Sequence, residues 1–276
     1  MKKNILLPTD FSDNAWSAAV YALKLFVNED CTFYFLHSAK IKASTMSNMT
    51  NKLLKVMLDN AKRDLLDLKD IAEAIGNKKH TFEIILSSKD IEDTIKASIE
   101  GYSIDYIVMG TKGASGVKEL FFGSNTVKIL KKINNCPVVI VPDEYDYIPV
   151  KQIAFPTDFN HFYDTELEPV KSLAEAQGSK IRIVHINKEK DLTDQQNYNL
   201  AMLKAYLEEH PHSFHWMPNY AKKREEINDF IEELDINLLA MIKYKHSVFE
   251  NIFNEPVIKK ISFNPIIPFM VIPSSV

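Results

Sequence analysis

A heptapeptide near the start of the chain, Ile5-Leu6-Leu7-Pro8-Thr9-Asp10-Phe11, returns as Ile153-Ala154-Phe155-Pro156-Thr157-Asp158-Phe159, 148 positions later. The same offset aligns Phe33-Tyr34-Phe35-Leu36-His37 with Ile181-Arg182-Ile183-Val184-His185. A third pair, Cys136 to Pro142 and Ile267 to Pro273, lies 131 positions apart, so the second copy has lost 17 residues in its middle. A repeat on this scale is one supersecondary set made twice. Two homologous domains are expected, residues 1–146 and 147–276, joined through Asp143-Glu144-Tyr145-Asp146-Tyr147. Each is long enough to bury its own core.

Within a copy, short apolar runs alternate with amphipathic stretches. Lys3 to Pro8, Thr32 to His37, Thr81 to Leu86, Asp105 to Met109 and Pro137 to Val141 read as strands. Ser12 or Asp13 caps a predicted helix carrying Trp16, Ala19, Val20, Leu23 and Phe26 at helical spacing. Further helices are predicted over Met46 to Ile75, closed by Gly76 as a C′ glycine, over Asp90 to Ile99, closed by Gly101, and over Ser124 to Ile133. Strands separated by helices pair in parallel through right-handed crossovers. Their unbroken apolar character fits burial on both faces. The class is α/β, two tandem doubly wound sheets. Such sheets bind ligands at strand carboxyl ends, at the topological switch point.

Charge and cysteine content narrow the function. Lysine plus arginine number 33 against 37 acidic residues, a net charge of −4, which is not the footprint of a duplex nucleic-acid binder. No apolar stretch is long enough for a membrane span. Cys31 and Cys136 form no ligand motif, and a reduced, cytoplasmic setting is expected.

The chain has only seven glycines, and four of them, Gly110, Gly113, Gly116 and Gly123, fall in one segment after the fourth strand. Glycine lets bare backbone approach a ligand closely. Gly123-Ser124 stands directly before a helix, whose first N–H groups and positive dipole end suit phosphate. Ser124, Asn125 and Thr126 add side-chain donors, and Lys112 and Lys118 add positive charge. The segment is neither a P-loop, since no Gly-Lys-Ser/Thr ending is present, nor a Rossmann fingerprint, which would follow the first strand. On general principles it reads equally as a phosphate cradle or as a plain strand-to-helix turn.

Gly110-x2-Gly113-x9-Gly123-Ser124 resembles the universal stress protein signature, G-x2-G-x9-G-S/T. Pro8-Thr9-Asp10 and His37, Pro156-Thr157-Asp158 and His185, and the Pro137 to Pro142 strand extend the resemblance over the whole chain. It is to tandem members, in which two copies in one chain mimic the family homodimer. The resemblance implies an adenine nucleotide alpha hydrolase-like fold with strand order 3-2-1-4-5, and ATP held on the glycine segment. By motif position Gly110, Gly113, Gly123, Ser124 and Asn125 would contact phosphates and ribose. Asp10 would sit near the ribose or a Mg2+ ion, and Pro8, Thr9, Ser38 and Met109 would line the adenine and ribose pocket. Ser38 departs from the small apolar residue usual after the family's histidine. The resemblance also implies pairing of the two apolar fifth strands, Val138 to Val141 and Phe269 to Ile272, within the chain. Whether two chains form a homodimer is left open.

At the offset of 131, Met241, Tyr244, Asn254 and Glu255 stand where the first copy has Gly110, Gly113, Gly123 and Ser124. Bulk and a carboxylate there oppose phosphate, so the second copy is expected to be a degenerate domain. His37 and His185 are expected to satisfy matched local hydrogen bonds rather than to catalyse. His210, His212 and His215 lack metal-ligand spacing, and Lys222 to Glu226 reads as a solvated face. No general base positioned by a second group is evident, so any ATP hydrolysis is expected to be slow. Two functions stay in view: adenine-nucleotide binding in stress response or signalling, and a nucleotide-independent interaction scaffold. A metabolic enzyme would need a second pocket of convergent acid and base groups, which is not found.

Overall fold

The fold comes from a computed structural model, which describes residues 2–39, 51–111, 123–186, 192–217, 229–243 and 266–274. The chain divides into two compact units, Met1–Tyr145 and Asp146–Val276.

The N-terminal unit runs β1 (Lys3–Pro8), α1 (Asp13–Leu25), β2 (Cys31–Ser38), α2 (Asn51–Ile75), β3 (His80–Ser87), α3 (Ile91–Tyr102), β4 (Tyr106–Gly110), α4 (Ser124–Lys132) and β5 (Val138–Val141). Its strands lie in the order β3-β2-β1-β4-β5, all parallel. The strand order runs from β1 toward β3 on one side and from β4 to β5 on the other, which makes the carboxyl ends of β1 and β4 the switch point. The runs Ile5-Leu6-Leu7 and Val138 to Val141 are buried along their length, as strands covered on both faces should be.

Helix boundaries follow local chemistry with two corrections. Ser12 is the N-cap of α1, its hydroxyl accepting from the Ala15 N–H at 3.3 Å. α3 does not stop before Gly101. It runs through Tyr102 and ends at Ser103, which takes the left-handed conformation at φ 49°. α2 ends at Ile75 with Gly76 next, as expected, but Gly76 lacks the positive φ of a C′ glycine. A Cβ there would lie 2.8 Å from both the Ala72 carbonyl and the Phe82 ring, so the glycine is needed for close packing.

The C-terminal unit contains β6 (Gln152–Pro156), α5 (Glu168–Gln177), β7 (Lys180–Ile186), α6 (Asp194–Tyr206), β8 (His212–Met217), β9 (Leu238–Lys243) and β10 (Phe269–Pro273), with a short 3-10 turn at Thr165–Leu167. Its strand order, β8-β7-β6-β9-β10, repeats that of the first unit. Register refines the alignment of the copies. β1 pairs Ile5 with Tyr106, and β6 pairs Ile153 with Leu238, so the fourth strands are offset by 132 rather than 131. Gly110 therefore corresponds to Ile242, not Met241. Parity reverses with the slip, but the residue is bulky and buried either way. Tyr244, Asn254, Glu255 and Lys222 to Glu226 lie outside the described residues.

Candidate functional site

The loop after β1 is built by short bonds. The Thr9 N–H continues the ladder to the Leu36 carbonyl at 2.8 Å. Phe11 takes the left-handed conformation at φ 64°, unusual for a bulky residue, and its N–H donates to Thr9 Oγ1 at 3.0 Å. Asp10 Oδ1 accepts from the Ser12 N–H at 3.2 Å and from the Ser12 hydroxyl at 2.6 Å. One carboxylate thus aims the residue that caps α1. His37 Nδ1 donates to the Thr9 carbonyl at 2.8 Å, which sets its tautomer, and its ring lies 4.5 Å from that of Phe11. The matched-histidine expectation holds: His185 Nδ1 donates to the Thr157 carbonyl at the same 2.8 Å.

Pro8, Thr9 and Asp10 sit at the end of β1, Ser38 at the end of β2, and Met109 and Gly110 at the end of β4, on adjacent parallel strands. Ser38 donates its hydroxyl to the Lys89 carbonyl at 2.6 Å, tying β2 to the turn after β3. Met109 is buried within the sheet. Gly110 has an unforeseen neighbour: a Cβ there would lie 1.6 Å from Asn14 Oδ1. Its missing side chain makes room for a side chain of α1.

The glycine segment leaves β4 at Thr111 and rejoins the described chain at Gly123, and these two residues are stitched together. The Gly123 N–H donates to the Thr111 carbonyl at 2.6 Å, and the Thr111 N–H to the Val141 carbonyl at 3.1 Å. Thr126 Oγ1 reaches the Gly110 and Thr111 carbonyls at 3.2 and 3.3 Å and is buried. Thr126 is therefore committed to this neck and is not a phosphate donor. Lys112, Gly113, Gly116 and Lys118 lie outside the described residues. Ser124 and Asn125 are exposed in the first turn of α4. Among the described residues that helix has no side-chain cap and, like α2, no acidic residue in its first turn, whereas α1, α3, α5 and α6 each open with at least one.

The equivalent loop of the second unit keeps the skeleton. Phe159 has φ 56°, its N–H donates to Thr157 Oγ1 at 2.9 Å, and Asp158 Oδ1 accepts from the Asn160 N–H at 2.9 Å. Here, however, α6 closes over it. Gln196 Nε2 donates to the Asp158 carbonyl and Asn199 Nδ2 to the Phe159 carbonyl, both at 2.8 Å. Tyr163 packs below, its hydroxyl 2.6 Å from Thr157 Oγ1. Gln196, Asn199 and Tyr163 were not singled out in the sequence; the one local signal is the Thr193–Gln196 capping box that begins α6.

Other described candidates are buried or engaged in local hydrogen bonds. Burial pushes the Cys31 and Cys136 thiols up to about 12, so neither is a thiolate near neutrality. His215 Nε2 meets Ser213 Oγ at 2.8 Å, and His212 Nδ1 donates to the His210 carbonyl. Among the described residues there is no group of three or more His, Cys, Asp or Glu side chains able to hold a metal. Nor is any described helix long and apolar enough to cross a membrane.

Comparison with known proteins bears on the family and the fold. The Usp model, "Universal stress protein family", matches residues 1–142. Universal stress protein MJ0577 of Methanocaldococcus jannaschii is 30% identical over 158 residues, covering 51% of this chain and 95% of that protein. Universal stress protein MJ0531 of the same organism is 29% identical over 147 residues, covering 50% and 81%. The crystal structure of a universal stress protein from Archaeoglobus fulgidus superposes over 98% of both chains with a TM-score of 0.73 at 19% identity, a likeness of fold alone. With more than half of its length matched by the family model and the switch-point loops in place, this chain belongs to the universal stress protein family.

Proposed function

We propose that the N-terminal unit binds an adenine nucleotide, ATP with magnesium, over the carboxyl ends of β1 and β4, in a stress-response or signalling role. The observation that carries this is the start of α4. Ser124 and Asn125 are exposed there, and among the described residues the first turn has no side-chain cap and no acidic side chain, with Lys131 and Lys132 in the last turn. Such a terminus is suited to an anion, and its neighbours at the switch point are the ones the motif assigns to a nucleotide. Gly123, Ser124 and Asn125 would face the phosphates, with Gly110 and Gly113 beside them. Pro8, Thr9, Ser38 and Met109 would border the base and ribose. Asp10 supplies a hard oxygen ligand of the kind Mg2+ takes alongside phosphates. When bound, the ion would neutralise phosphate charge. Among the described residues the one candidate base held by a second group is His37, tied through Nδ1 to the Thr9 carbonyl, and the motif supplies a cradle rather than a catalyst, so slow turnover is part of the proposal. Two buried, unpaired thiols support a reducing, cytoplasmic setting.

Equilibrium binding of ATP in the presence of magnesium tests the reading. Wild type should bind and Gly113→Val should not; failure of wild type to bind eliminates it. A second reading, a nucleotide-independent scaffold, is favoured for the C-terminal unit by the Gln196 and Asn199 bonds that close its loop. Nucleotide released from the purified, denatured protein separates the two.

A further inference from the structure

Asn14 occupies the second position of α1 and is 8% exposed. Its Nδ2 donates to Asp143 Oδ1 at 2.7 Å, just beyond β5 and at the start of the interdomain linker. Its Oδ1 is buried, makes no hydrogen bond among the described residues, and lies over Gly110. Leaving a buried amide oxygen without an N–H or O–H donor is unfavourable, and this oxygen fits where it lies because Gly110 has no side chain. One amide therefore spans from the last residue of β4 to a carboxylate 33 residues further along the chain. The same point of β4 is tied to β5 by the Thr111 N–H and to α4 by Gly123 and Thr126.

We propose that Asn14 is a positioning residue that locks the carboxyl end of β4 to Asp143, so that the neck of the glycine segment and the start of the linker move as one body. Gly110 is a glycine because of Asn14, whatever else it contacts. The lock exists without a ligand. Its consequence for nucleotide affinity rests on the function proposed above: a strain on the linker would be felt at the neck.

Amide hydrogen exchange on the full chain, without nucleotide, tests the lock. Asp143 is exposed, so Asp143→Ala should fold. It should raise exchange at Thr111 and Gly123 roughly tenfold, the loss expected for a hydrogen bond to a charged group. Amides of β7 should keep their rates, and Asp143→Asn, which retains an acceptor, should stay near wild type. Unchanged rates at Thr111 and Gly123 in Asp143→Ala overturn the proposal. A second arm uses thermal unfolding. Gly110→Ala should lower Tm by roughly 5 °C through overpacking. Adding Asn14→Ala to it should restore at least half of that loss. A double variant no more stable than Gly110→Ala also overturns the proposal. Absence of ATP binding by wild type would remove the nucleotide reading and leave both of these readouts standing.

Discussion

The loops after β1 and β6 share a backbone and differ in what closes over them. Both place a phenylalanine in the left-handed region, both use a threonine hydroxyl to receive its N–H, and both hold a histidine against the threonine carbonyl. In the front loop, Ser12 follows Asp10 and starts a helix at once. In the rear loop Asn160 stands in that place, no helix begins until the turn at Thr165, and α6 spends two amides on the loop carbonyls. The loop skeleton is set by bonds spanning two residues. What differs is the rear loop's two further bonds from α6, which span 38 and 40 residues. A repeat can thus keep its loop motif while a different helix bonds to it.

The largest test of this contrast moves a rear residue forward. Ser124→Glu imports the carboxylate found at Glu255 and should weaken ATP binding roughly 30-fold in calorimetry, because the charge meets phosphate at a dipole end. The same change should stabilise the protein by about 0.5 kcal/mol, since a carboxylate suits a helix N-terminus. Unchanged affinity would break the comparison. In the rear loop, Asn199→Leu strands the buried Phe159 carbonyl and should cost about 2 kcal/mol in urea unfolding. Tyr163→Phe removes the buried hydroxyl contact to Thr157 and should cost about 1 kcal/mol. If both rear variants are neutral, the loop is not held by these side chains.

The smallest effect is in pH. Burial lowers the pKa of His80, against the Phe26 carbonyl bond and Asp30; it also lowers that of His215, helped by Arg182 and Lys180. His80 Nε2 donates to the Phe26 carbonyl at 3.2 Å while Nδ1 accepts from the Asn77 N–H at 3.4 Å, an arrangement of the neutral ring. With folded values below the ordinary 6.5, the unfolded chain takes up protons first as pH falls. Stability should therefore be level above about pH 7 and decline as pH drops through 6.5 and below. Thermal scans from pH 7.5 to 5 on His80→Gln and His215→Gln should each show a shallower decline than wild type, by about 1.4 kcal/mol per pH unit at most.

The alternation of apolar runs and amphipathic stretches, the repeat and the place of the switch point were all legible in the residues, because strand burial and helix capping leave period and punctuation in a local window. The paired histidines were legible too, since a residue repeated in register must meet a repeated need. The register of the fourth strand was not. A one-residue slip leaves an apolar run apolar, and only pairing of Ile153 with Leu238 resolves it.

What the chain decided by its sequence alone is two copies of one parallel fold and a single patch of backbone freedom after the fourth strand. What only the tertiary structure decided is the use of each small or polar residue there: Gly110 yields to Asn14, Thr126 closes a neck, and Asn199 fills the rear loop. These partners lie 15 to 96 positions apart. Helix packing brings them together, and packing of that range leaves no mark in any local window of sequence.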